Sequence, residues 1–174
     1  MTPDPQSLAA DALARAIARE FRRRVLGEYV PRIRTCVRRL TEEQVWRKPS
    51  PHGNSIGNLL LHLEGNMRQW LLAGLGGEPD HRLRAGEFAA TATSETRAAS
   101  ELVARLEATA TAAARVVDRL TPPDLLAHRR FQQRYDEDGV AAVLHVLEHF
   151  SGHAGQIYAW TKQMLGVDLK FYDL

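Results

Sequence analysis

The stretch DGVAAVLHVLEHFSGHAGQIYAWTKQMLG, residues 138–166, decides how the rest of the chain is read. Asp138 and Gly139 open it, Gly166 closes it, and between them the apolar residues recur at helical spacing, which predicts one long helix. On that helix His145, His149 and His153 fall at successive i, i+4 positions, and Gln156 and Trp160 continue the stripe. Side chains one turn apart can aim two imidazole nitrogens at a point about 2.0–2.1 Å from each, the length of a metal bond. A helical histidine pair is a weak signal by itself, so the reading needs a partner from another element.

That partner lies in NSIGNLLLHLEGNMRQWLLAGLGG, residues 54–77. Ser55 has the chemistry of an N-cap and Gly74, Gly76 and Gly77 that of a helix end. Ile56, Leu59, Leu60, Leu61, Leu63, Met67, Trp70 and Leu71 make the segment apolar nearly all round, which marks it as buried. One polar stripe runs through it: Asn58, His62, Asn66 and Gln69. Polar groups in a buried helix are costly unless satisfied, and a metal with its hydrogen-bonded surroundings would satisfy them. If the two helices are neighbours, His62 faces the histidines of the last helix and a three-histidine set with open coordination positions results. Spacing alone does not choose which of His145, His149 and His153 complete it.

Two further helical segments flank this pair. The first runs from about Pro5 or Ser7 to Leu40, with a kink expected near Gly27 and Pro31. The other, alanine-rich, runs from Ser94 to Leu120 and stops at Thr121-Pro122-Pro123. Thr41-Glu42-Glu43-Gln44 is a capping-box pattern for a short turn of helix, ended by Lys48-Pro49-Ser50-Pro51. No set of alternating β-branched runs is present, so the chain is read as all-α, a four-helix bundle with long connections between its second and third and its third and fourth helices. Its 174 residues suit a single domain, 1–174, that buries roughly 70% of its unfolded surface.

Composition removes whole classes of function. At 44% hydrophobic and 25% charged the chain is neither disordered nor fibrous. No window approaches the ~20 apolar residues of a membrane span, and the first twenty residues lack the pattern of a signal peptide. A single cysteine, Cys36, excludes an internal disulfide framework, and a cytoplasmic location is expected. Net charge is only +2, yet residues 15–39 hold nine arginines against Glu20 and Glu28. They interleave with Ile17, Phe21, Val25, Ile33 and Val37 at helical spacing, as the solvated face of a packed helix does. With no zinc-finger spacing, RNP-like motif or Gly-rich phosphate loop, no nucleic-acid partner is expected.

Competing chemistries are weaker. His145-Val-Leu-Glu148-His149 spells the inverted zinc-peptidase motif, but that chemistry needs a further carboxylate ligand well downstream, and after His149 the only acids are Asp168 and Asp173 in a short tail. Ser151 has no acidic orienter for a triad. Cys36 reads as a small core residue, Trp46, Trp70 and Trp160 as core fillers, and His52, His81 and His128 as exposed loop residues.

Trp46-Arg47-Lys48-Pro49, residues 54–77 and EHFSGHAGQIYAWTKQMLG at 148–166 together resemble the DinB/YfiT-like metalloenzyme superfamily, most closely its DUF1572-type branch. The resemblance implies a four-helix bundle, often dimeric, whose divalent metal, zinc or nickel in many members, is held by His62, His149 and His153. Asn58, Asn66, His145 and Gln156 then become pocket residues that orient ligands or substrate. It also implies thiol chemistry, with a low-molecular-weight thiol as co-substrate and S-transfer or detoxification of a small electrophile as the reaction. The alternatives are a non-enzymatic metal- or ligand-binding bundle whose arginines meet an anionic partner, and a metal-assisted hydrolase.

Overall fold

The computed structural model describes residues 4–93 and 98–171. Its first helical rod is α1 (Pro5–Arg24), a π-helical turn (Val25–Tyr29) and α2 (Val30–Val37) in unbroken succession. The break expected at Pro31 is absorbed by that turn. Proline offers no N–H and its ring crowds the carbonyl four residues back, and widening the preceding turn shifts the register enough to continue the helix. Asp4 caps α1 by accepting from the Gln6 N–H.

The predicted capping box opens α3 (Glu42–Trp46), with Thr41 and Gln44 bonding reciprocally. Ser55 and Asn58 form a second one that opens α4 (Ile56–Met67). The α4 rod continues through a second π-helical turn (Arg68–Ala73). The connection that follows, read as plain loop, contains α5 (Arg84–Ala89). The predicted start of the third helix at Ser94 lies outside the described residues, where α6 (Ala99–Asp118) is the portion seen. Beyond it the connector holds α7 (Pro122–Leu126) and a small antiparallel hairpin, β1 (Arg129–Phe131) with β2 (Tyr135–Glu137), Arg130 facing Asp136. Three-residue strands leave too little alternation to read. The turn gave no glycine signal either, because Gln132 and Gln133 themselves adopt positive φ (53° and 57°). Asp138 caps α8 (Gly139–Leu165), and Gly166 ends it in the left-handed conformation at φ 64°. Residues 172–174 of the short tail also lie outside the described set.

Among the described residues the protein is thus an all-α bundle with one minor hairpin. α4 packs on both α6 and α8, and α1 and α2 close the other side against the same two helices. Phe21, Ile33, Leu59, Leu63, Leu106, Phe150 and Ile157 meet in one contiguous core, each contributing about 1.5–3 kcal/mol by burial. Cys36 is part of that core, where burial pushes its thiol above the ordinary range. Among the described residues no helix is long and apolar enough to cross a membrane.

Candidate metal centre

The core that buries α4 also buries its polar stripe: Asn58, His62 and Asn66 are all at most 4% exposed. α4 and α8 run antiparallel, since Asn66 lies beside His145 and, one turn earlier on α4, His62 lies beside His149 one turn later on α8. This pairing brings His62, His149 and His153 into one cluster, with a nitrogen of each within 4.8 Å of the others. Nε2 of His62 and Nε2 of His149 are 2.9 Å apart, close to the spacing of two adjacent ligands on one ion at about 2.1 Å. The His62 and His153 rings meet edge to face, and so do those of His149 and His153.

The electrostatics keep lone pairs available. Burial is the main force pushing His149 down to about 3, aided by His153, His62, His145 and the Arg82 charge. His153 is lowered too, chiefly by burial, against an opposing hydrogen bond to Gln156. Neutral imidazoles are the form that binds a metal. The hydrogen bonds assign which nitrogen carries the proton. His153 Nδ1 lies 3.0 Å from Oε1 of Gln156 and donates to it, and His62 Nδ1 donates to Oε2 of Glu87 at 2.7 Å. Both assignments leave Nε2 unprotonated and able to act as a metal ligand, that of His62 lying against Nε2 of His149. A divalent transition metal fits this donor set.

Glu87 was not anticipated. It sits on α5, 25 residues beyond His62, and is gripped by Arg82 through Nε to Oε1 at 2.7 Å and Nη2 to Oε2 at 2.9 Å. The Arg82 and Glu87 side chains are only 4% and 10% exposed. Burial alone would raise the Glu87 carboxyl, but the hydrogen bonds from His62 and Arg82 overcome it and hold it below the usual range. Arg82 is braced in turn by Oε1 of Gln69. Asn58 takes a supporting place: having capped α4, its amide donates to the carbonyls of Glu87 and Ala90 and so pins α5 to the helix that carries His62. One signal for this contact existed. Gly65 interrupts α4, and a side chain there would collide with Glu87 and Arg82.

The other stripe residues separate. His145 stacks on Trp70 at 4.0 Å and lies within 3.4 Å of the Asn66 amide, with its ring 5.7 Å from that of His149. Trp70 stands on the second π-helical turn and stacks on Phe131 of the hairpin at 4.7 Å. It forms a wall beside the histidines as well as filling core. His52, His81 and His128 are exposed.

Comparisons with known proteins show that the bundle has the fold of DinB-like proteins. A crystal structure of a DinB-like protein from Bacillus cereus ATCC 10987 superposes with a TM-score of 0.61 at 15% identity, covering 83% of this chain and 90% of that one. A second, from Bacillus subtilis, gives 0.63 at 14% identity, covering 88% and 95%. At these identities the likeness concerns the fold. The family model of mycothiol-S-transferases matches residues 23–160, and the chain belongs to that family, within the DinB/YfiT-like superfamily. No curated protein matches it closely.

Proposed function

We propose that the protein is a metal-dependent thiol S-transferase, acting in the cytoplasm, that joins a low-molecular-weight thiol such as mycothiol to a small electrophile. The observation that carries this reading is the convergence of His62, His149 and His153 in a family of thiol transferases. These three residues would hold a divalent ion, zinc or nickel by ligand type, that lowers the pKa of a bound thiol or water. Glu87 accepts the Nδ1 proton of His62, which fixes the ring and directs Nε2 to the centre, while Arg82 keeps Glu87 ionised. Gln156 does the same for His153. Phe88, whose ring centroid is 4.7 Å from that of His62, helps shield the ligand from water.

The arginine-rich first rod gives little support to a polyanion-binding module. Arg22 is paired with Asp118, Arg23 and Arg24 with Glu20, and Arg34 with Glu107. The test is elemental analysis of untagged protein, comparing wild type with His62→Ala, His149→Ala, His153→Ala and His145→Ala. One equivalent of transition metal is expected in wild type and His145→Ala, and none in the other three. Electrophile turnover should require both metal and thiol. Absence of metal after reconstitution with zinc or nickel would overturn the reading, and turnover without thiol would replace it with metal-assisted hydrolysis.

A further inference from the structure

The Trp46-Arg47-Lys48-Pro49 segment takes no part in the metal centre, yet the fold aligns it with that centre. Because α4 and α8 are antiparallel, the chain just before α4 lies beside the C-terminal part of α8. There Arg47, Lys48 and Pro49 join Trp160, Gln163 and Met164 around a cavity of about 360 Å³. Trp160 is seven residues beyond His153, about 10.5 Å along the helix and within about 20° of the same face. Gln156 stands between them. The segment is held in place by Trp46, whose ring lies over Gly57, where even a Cβ would come within 2.7 Å of it.

The charge of this cavity is unbalanced. Several arginines of the bundle, among them Arg22, Arg34, Arg82 and Arg105, have a carboxylate beside them, but among the described residues neither Arg47 nor Lys48 has an ion-pair partner, and no acidic residue lines the cavity. Two unneutralised cations facing an indole and a thioether suit a ligand with an apolar body and an anionic end.

We propose that the Arg47–Lys48–Trp160 cavity is a binding subsite for an organic anion, and that it anchors the remote end of a co-substrate whose reacting end lies at the histidines. Its second half rests on the function proposed above, whereas the binding itself does not. Bound there, the anionic end would be held by Arg47 and Lys48 while the apolar portion covers Trp160 and extends past Gln156.

Calorimetric titration of untagged wild type with 4-phenylbutyrate and with its neutral amide tests this directly. The carboxylate should bind about tenfold more tightly than the amide, the scale of one charge-assisted contact. Arg47→Gln/Lys48→Gln should abolish that preference, and Arg15→Gln/Arg19→Gln, at residues that line a separate cavity beside Asp118 and Pro122, should preserve it. His149→Ala should also preserve it, because the anion is not held by the histidine centre. Equal binding of acid and amide by wild type, or loss of the preference in either control, overturns the subsite. In turnover assays Arg47→Gln/Lys48→Gln should raise KM about tenfold for one co-substrate and leave kcat unchanged, and the co-substrate affected identifies whether thiol or electrophile carries the anion. A fall in kcat with both KM values unchanged counts against anchoring. The calorimetric result stands even if no S-transfer is found.

Discussion

Two regions use arginine and glutamate to opposite ends. On the first rod Arg23 and Arg24 share Glu20, whose carboxyl they hold down to about 2, and all three side chains are 42–54% exposed. On the connection after α4 a single arginine, Arg82, holds a single glutamate, Glu87, both nearly sealed from solvent, and the glutamate holds a histidine. The first network has more charge and the second has more consequence. Solvent screens an exposed pair and the long side chains lose entropy in making it, whereas a buried pair cannot be half-removed without leaving an uncompensated charge.

The sharpest way to break the comparison is Glu87→Ala, which strands the Arg82 guanidinium. Urea denaturation should show a loss of about 3–5 kcal/mol. Replacing both, as Arg82→Met/Glu87→Leu, should return most of that stability without restoring metal affinity, because the His62 Nδ1 proton still lacks its acceptor. Glu87→Gln keeps the shape and removes the charge; competition with a chelator should then show metal affinity lowered about 10–100-fold with the fold intact. Similar affinity in wild type and Glu87→Gln would show that the carboxylate only packs.

A smaller effect is expected from pH in metal-free protein. His149 titrates near 6.5 when unfolded and near 3 in the bundle, so below pH 6.5 the unfolded chain binds the extra proton. Stability should therefore be flat above that pH and fall progressively from about 6.5 toward 3. Glu87, whose carboxyl is also depressed, adds to the loss below its ordinary value of 4.5. His149→Gln should flatten the upper part of this decline in urea midpoints measured at several pH values. Least of all, Arg23→Ala should leave the midpoint unmoved, since its partners Glu20 and Glu28 stay in water.

The same contrast explains what was legible. His62 and the stripe of His145, His149 and His153 could be picked out because helices repeat, and a residue's face follows from its number; the choice of His149 and His153 within the stripe came from the family resemblance. His145 shares that face, and spacing could not separate it; only the packing of Trp70 against it, set by a π-helical turn and a distant hairpin, turned it toward a different neighbour. Glu87 and Arg82 escaped because they lie on a connection with no period, 25 and 20 residues from the histidine they serve. Gly65 marked the close approach without saying what approached.

By itself the sequence determined the bundle: the apolar periods of four segments, the box at Thr41, the N-cap at Ser55, the start at Asp138 and the stop at Gly166 are local properties, each decided within a few residues. Tertiary structure decided the contacts between segments. It chose the register of α4 against α8, which places His62 beside His149, and it brought α5 over Gly65 to hold that histidine. It also carried Arg47 and Lys48 to the side of Trp160. Local periodicity fixes which face of a helix is buried, but the neighbour that covers the face is selected only when the whole core packs.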